Sequence, residues 1–163
     1  MIGNDIVDLA TAKKESNWKR KGFLEKIFTV KEQNLISQSK IPDVMVWNLW
    51  SRKEAAYKIF NRETGIRGFF PLLLECSFED EKTGKVVIQN KSYLTNTTFE
   101  NNAVYTIAVT HKEHFKKIKN INPNTTILKK NGIPFIIDPV SMVETPISIT
   151  HHGLLWKGIT LLL

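Results

Sequence analysis

The sequence predicts one domain of mixed helix and strand, in which a single long helix carries a set of short strands. Three observations lead there. From about Asp43 to Asn61 apolar residues recur at helical spacing, with no Gly or Pro. Ile2 to Leu9 alternates apolar and polar residues, as a short strand does. Beyond Leu72, short β-rich runs alternate with turn-forming clusters to the end of the chain. At 163 residues there is enough chain for one full core or two small packed lobes, and residues 1–163 are read as a single domain.

The N-terminal strand holds Asp5 and Asp8 among Ile and Val, which strands disfavour. Either these sites lie at an edge or strand end, or a carboxylate there serves as a metal ligand on a rigid element. Glu15 to Ile27 reads as a basic helix. Thr29 and Glu32 stand at capping-box spacing, so a second helix runs from Thr29 through Ile36. Ser37 to Asp43, with Pro42, is a loop into the long helix.

On that helix Val46, Leu49, Trp50, Ala56, Tyr57 and Phe60 form one apolar stripe. Lys53 falls in its middle, where a solvated lysine has no place. Glu54 and Lys58 stand one turn apart at its edge; this is an ordinary ion-pair spacing, and equally a carboxylate and an ammonium projecting together. Thr64 to Gly68 ends the helix with two glycines, and Arg67 between them can meet a phosphate. Strands follow at Leu72–Phe78, Lys85–Gln89 and Asn102–Thr110. His111 to Lys119 is a basic helix or turn, and Asn120 to Thr126 the best internal boundary. Short strands are then expected at 134–138, 146–150 and 155–163.

Thr150-His151-His152-Gly153 lies between the last two of these strands. Adjacent histidines on a strand point apart, so at most one is expected to face a given site. Zinc would need further ligands, and no Cys pair or His-x3-His spacing supplies them. A His beside a threonine hydroxyl suits phosphate or nucleotide contacts better.

Composition narrows the function. A formal charge of +7 and a pI near 9.5 suggest an acidic partner, but the basic residues are dispersed rather than gathered into a nucleic-acid arm. Cys76, the only cysteine, sits in an apolar run and reads as a buried thiol. Asn4, Asp5 and Asp8 break any signal-peptide core, and no apolar run approaches the roughly 18 residues of a membrane span. A cytoplasmic, reducing setting is expected, with no membrane partner.

Three separated stretches together carry a resemblance. Gly3-Asn4-Asp5-Ile6-Val7-Asp8, Trp50-Ser51-Arg52-Lys53-Glu54-Ala55-Ala56-Tyr57-Lys58 and Ile147-Ser148-Ile149-Thr150-His151 resemble the signature motifs of the 4′-phosphopantetheinyl transferase superfamily. Their order resembles that of the small holo-acyl-carrier-protein synthase class. Phe28-Thr29-x-x-Glu32, Gly65-Ile66-Arg67-Gly68 and Asn131-Gly132-Ile133-Pro134 are similar to further stretches of the family. The chain departs from larger two-lobed members in having Val7 where they carry a second acidic residue. It departs from the usual serine of the last motif with Thr150. It is also longer than the small class and shorter than the two-lobed one.

The resemblance implies an α+β fold, 4′-phosphopantetheinyl transferase-like, with a small, mainly antiparallel sheet on the long helix. It implies an enzyme that moves the phosphopantetheine arm of coenzyme A to a serine of an acidic apo acyl or peptidyl carrier protein, as in fatty-acid biosynthesis. Adenosine 3′,5′-bisphosphate is released. Asp5 and Glu54 then hold Mg²⁺ (or Mn²⁺), Glu54 and Lys58 are catalytic, and Lys53, Lys58, Arg67, Thr150 and His151 contact coenzyme A. Small-class members assemble as trimers, so His151 is expected to come from a neighbouring subunit. The competing reading is a non-enzymatic basic module for RNA or an acidic protein; it leaves Asp5 in a strand and Lys53 in an apolar stripe without a reason.

Overall fold

The structure, a computed structural model, describes residues 1–162. It is α+β, as expected. The first strand, β1 (Ile2–Asp8), ends where Asp8 accepts hydrogen bonds from the N–H groups of Ala10 and Thr11, at 2.9 and 3.1 Å. Asp8 is therefore the N-cap of α1 (Leu9–Glu15), which accounts for one of the two strand carboxylates by helix capping alone.

The basic helix expected from Glu15 to Ile27 is broken. Residues 16–22 are turns, and only α2 (Phe23–Ile27) is helical. Gly22 enters α2 with φ of 83°, a left-handed conformation that suits glycine. The Trp18 indole donates to Asp43 at 2.8 Å, tying this segment to the start of the long helix. Next, α3 (Val30–Gln38) opens with the expected capping box: Thr29 accepts from the Glu32 N–H while the Glu32 carboxylate accepts from the Thr29 N–H.

The long helix, α4 (Pro42–Thr64), starts on a proline and stops at Gly65, whose φ is 71°. Most of its circumference is enclosed, with Val46, Leu49, Ala55, Ala56 and Ile59 all at 0 % exposure. Arg52 is buried too. It donates to Asn48, Thr95 and the Lys82 carbonyl and lies over the Phe78 ring.

After a 3-10 turn at Pro71–Leu73 come β2 (Leu74–Phe78), β3 (Thr83–Ile88), β4 (Lys91–Glu100) and β5 (Ala103–Val109). With β1 they form an antiparallel sheet in the order β1-β5-β4-β3-β2. Cys76 on β2 is buried, and burial pushes its thiol well above the ordinary range. Strand β4 is absent from the sequence reading because its inward face is polar. Tyr93 donates to Glu63, Thr95 accepts from Arg52, and the hydroxyls of Thr97 and Thr106 share a bond at 2.8 Å.

A second sheet follows a 3-10 turn at Lys112–Lys117. Its strands are β6 (Ile118–Asn120), β7 (Leu128–Lys130), β8 (Ile133–Ile137), β9 (Glu144–His152) and β10 (Leu155–Leu161), ordered β6-β10-β9-β8-β7. The last expected strand ran to Leu163, which lies outside the described residues. β1 joins the two halves: it pairs with β5, rests on α4, and packs against β9 and β10.

Candidate active site

β1 runs close along α4 because Gly3 has no side chain there; a Cβ would collide with the Ala55 carbonyl. Ala55 and Ala56 keep the helix side of the contact thin. Gly3, Asp5 and Val7 alternate onto one face of β1, and this close approach brings Asp5 beside Glu54 and Lys58 on the helix.

The other edge of β1 would expose backbone groups, and β9 covers it in an unusual way. Side chains of β9, rather than its backbone, accept the free N–H groups of β1. Asn4 N–H donates to Ser148 Oγ at 3.0 Å, Ile6 N–H to Thr150 Oγ1 at 3.2 Å, and Asp8 N–H to His152 Nδ1 at 2.9 Å. Two cations of α4 then bridge carbonyls of both strands. Lys58 donates to Asn4 and Ile149 at 2.6 and 3.1 Å, and Arg62 donates to Ile2 and Ile147. The alternation of β9, which sends residues 148, 150 and 152 the same way, makes this clamp.

Asp5 is almost fully enclosed. Its Oδ1 accepts from Thr150 Oγ1 at 3.1 Å and lies 3.9 Å from the Lys58 ammonium. Its Oδ2 has no partner, one of two buried side-chain polar atoms so left among the described residues; the other is Asn4 Oδ1. Burial raises the Asp5 pKa, although Lys58 and the hydroxyls of Thr150 and Ser51 oppose the shift. Glu54 is also raised, to about 7, first by burial and then by the charge of Asp5. Burial lowers the Lys58 pKa. Two carboxylates thus share one lysine that meets neither at close range. This imbalance fits a small divalent cation, for which one or two carboxylates suffice when phosphate and water complete the shell. No group of three or more His, Cys, Asp and Glu side chains is poised for a metal among the described residues, so a closed zinc site is not built here.

Asp5, Glu54, His151 and His152 line one cleft together with Trp47 and Trp50. Both histidines border it, contrary to the expectation that only one would. His152 is turned inward onto the Asp8 N–H, while His151 is exposed. His151 borders the same cleft as the Asp5 and Glu54 of its own chain. The reason is β9, which lies alongside β1 and so delivers its end to the cleft.

Two further expectations are corrected. Lys53 does not reach the cleft: it is at 0 % exposure, with its ammonium 2.6 Å from Glu32 and donating to the carbonyls of Ile27 and Pro71. Its place in the apolar stripe is explained by a buried ion pair. Thr150 is 5 % exposed and its hydroxyl accepts from Ile6 and donates to Asp5, which leaves no proton of it for a phosphate. Arg67 donates to the Asn131 carbonyl at 2.8 Å, joining the turn after α4 to the β7–β8 turn. Beside it, a second cavity is bordered by Lys58, Arg62 and Lys129 with no carboxylate in its lining. Sequence reasoning missed Arg62 and Ser148; spacing of four from Lys58 and of two from Thr150 marks both.

Comparison with known proteins gives the family and the fold. The model of the 4′-phosphopantetheinyl transferase superfamily matches residues 1–110. The chain is 34% identical over 91 residues to a holo-[acyl-carrier-protein] synthase of Caldanaerobacter subterraneus subsp. tengcongensis, covering 56% of this chain and 69% of the relative. It is 39% identical over 59 residues to one of Verminephrobacter eiseniae, covering 36% and 45%. Among solved structures, the holo-[acyl-carrier-protein] synthase of Neisseria meningitidis superimposes with a TM-score of 0.54 at 19% identity, over 68% of this chain and 97% of that one. The Helicobacter pylori enzyme in complex with coenzyme A does so with 0.54 at 18%, over 68% and 100%. The family match ends at 110, so Thr150 and His151 lie beyond it.

Proposed function

The chain belongs to the 4′-phosphopantetheinyl transferase superfamily, and from that premise we propose that it moves the phosphopantetheine arm of coenzyme A to a serine of an apo acyl carrier protein. The observation that carries this reading is the pair of Asp5 and Glu54 lining one cleft, with Lys58 3.9 Å from Asp5 Oδ1 and Asp5 Oδ2 left without a partner.

Phosphoryl transfer asks chiefly for positioning and charge neutralisation. Asp5 Oδ2 and the Glu54 carboxylate are the groups that would hold Mg²⁺, which when bound neutralises charge on the pyrophosphate. Lys58 has three N–H donors, two of them fixed by the Asn4 and Ile149 carbonyls. The third remains to stabilise negative charge on the phosphate or on the departing adenosine 3′,5′-bisphosphate. The Glu54 carboxylate, or a water held beside the cation, would accept the proton of the attacking serine. Trp47 and Trp50 wall the cleft. His151, exposed at its rim, is placed to meet the nucleotide end of coenzyme A. Arg62 and Lys129 border the neighbouring cationic cavity, with Arg67 held beside it on the Asn131 carbonyl, and these cations can take further phosphate charge.

Lys13 and Lys19 line a groove that shares Ser16 and Trp47 with the cleft, a basic approach for an acidic carrier. No helix among the described residues is long and apolar enough to cross a membrane. Assembly as a homo-oligomer, with a trimer favoured by likeness to the small class, is part of this proposal, and His151 borders the cleft in its own chain.

The test is intact-mass spectrometry of apo carrier proteins incubated with the protein, coenzyme A and Mg²⁺. A carrier gaining one phosphopantetheine is expected. Tight RNA binding at physiological salt, with no carrier modified, would favour the basic binding module instead.

A further inference from the structure

We propose that Thr150 is a positioning residue that sets which oxygen of Asp5 faces the cation, an inference that rests on the metal-assisted reading above. The Thr150 hydroxyl has one proton to give and accepts the Ile6 N–H at 3.2 Å. That bond turns the hydroxyl proton toward Asp5 Oδ1, 3.1 Å away. Lys58 approaches the same oxygen, at 3.9 Å. The Thr150 proton and the Lys58 ammonium therefore both face Oδ1, the Ser51 hydroxyl donates to the Asp5 backbone carbonyl, and Oδ2 stays buried with no hydrogen-bond partner. A carboxylate held in this way presents one fixed oxygen rather than a rotating pair, and partners of this kind typically change metal affinity 10–100-fold when removed.

The arrangement spans two parts of the chain. Asp5 lies in the stretch matched by the family model, residues 1–110, and Thr150 in the second sheet beyond it. The second sheet is thus part of the site's chemistry through a hydroxyl rather than through a ligand. Ser148, two residues earlier, makes the same kind of bond to the Asn4 N–H but has no carboxylate in reach. It separates the clamp's structural work from the orientation of Asp5.

The experiment is a Mn²⁺ titration of the full-length protein, with free ion followed by electron paramagnetic resonance and neither carrier nor turnover required. Wild type is expected to bind Mn²⁺ more tightly than Asp5→Asn. Thr150→Val is expected to weaken binding about 10–100-fold. Thr150→Ser, which keeps the hydroxyl, stays at wild type, and so does Ser148→Ala, which loosens the clamp without touching Asp5. If Val is not tolerated, Thr150→Ala reads the same loss. Equal affinity in wild type and the hydroxyl-free variants overturns the inference and leaves the metal reading intact. Equal loss in Ser148→Ala overturns it as well, because general loosening of β9 then accounts for the effect. Equal affinity in wild type and Asp5→Asn removes the metal reading, and the inference falls with it.

Discussion

Two lysines on α4, buried Lys53 and half-buried Lys58, have opposite surroundings. All three N–H donors of Lys53 are used, by Glu32 and by the carbonyls of Ile27 and Pro71. Glu32 is equally occupied, accepting also from the Thr29 and Cys76 N–H groups. Lys58 holds two carbonyls, stands 3.9 Å from Asp5, and shares its charge with Glu54 as well. A buried pair with every donor and acceptor met is architecture. A cluster with one cation, two carboxylates and a bare oxygen is short of positive charge, and that shortage is where an added cation and a phosphate belong.

The comparison breaks most visibly on the closed side. Lys53→Ala or Glu32→Ala leaves one charge buried without its partner, with an expected loss of about 3–5 kcal/mol in urea unfolding. Replacing both, Lys53→Met with Glu32→Leu, is expected to recover most of that loss. The open side answers in activity. Lys58→Met should lower the rate of carrier modification by about 10²–10³-fold, the usual cost of removing one charge-stabilising donor.

The pH dependence of stability sharpens the contrast further. Glu54 is raised from 4.5 to about 7. Its folded form binds a proton more tightly than its unfolded form, so the resulting stability is whole below 4.5 and is lost as pH rises through about 7. In chelator, melting temperature should therefore fall across that window, and Glu54→Gln should flatten the fall. At pH 8 the variant is expected to be the more stable, by on the order of 1 kcal/mol after allowing for solvent screening. The smallest effect belongs to the exposed pair of Lys31 and Glu75. Lys31→Ala should leave the melting temperature within experimental error.

Much of this was legible in the sequence where a local rule decides the outcome. The capping box at Thr29, the span of α4 and its stop at Gly65 follow from short-range chemistry. Asp5 stood out because a strand pattern does not explain its charge, whereas Glu54 and Lys58 stand at an ordinary ion-pair spacing and were singled out by the family resemblance. β4 escaped because Tyr93, Thr95 and Thr97 face inward and are satisfied by tertiary hydrogen bonds, which no alternation of hydropathy displays. Lys53 was misplaced for the complementary reason. A lysine within an apolar stripe signals an enclosed charge, but its partner Glu32 lies on another helix, and spacing along α4 cannot distinguish an ion pair from a phosphate. The broken basic helix at residues 16–22 depends on Trp18 reaching Asp43, again a contact between segments.

The most direct measurement sets Glu54→Gln beside Glu32→Gln in the carrier-modification assay, scored by intact mass per folded molecule. The account predicts that Glu54→Gln folds as well as wild type and modifies almost no carrier, while Glu32→Gln melts earlier yet retains its activity below the melt. Full activity in Glu54→Gln, or loss of activity in folded Glu32→Gln equal to its own, would contradict it.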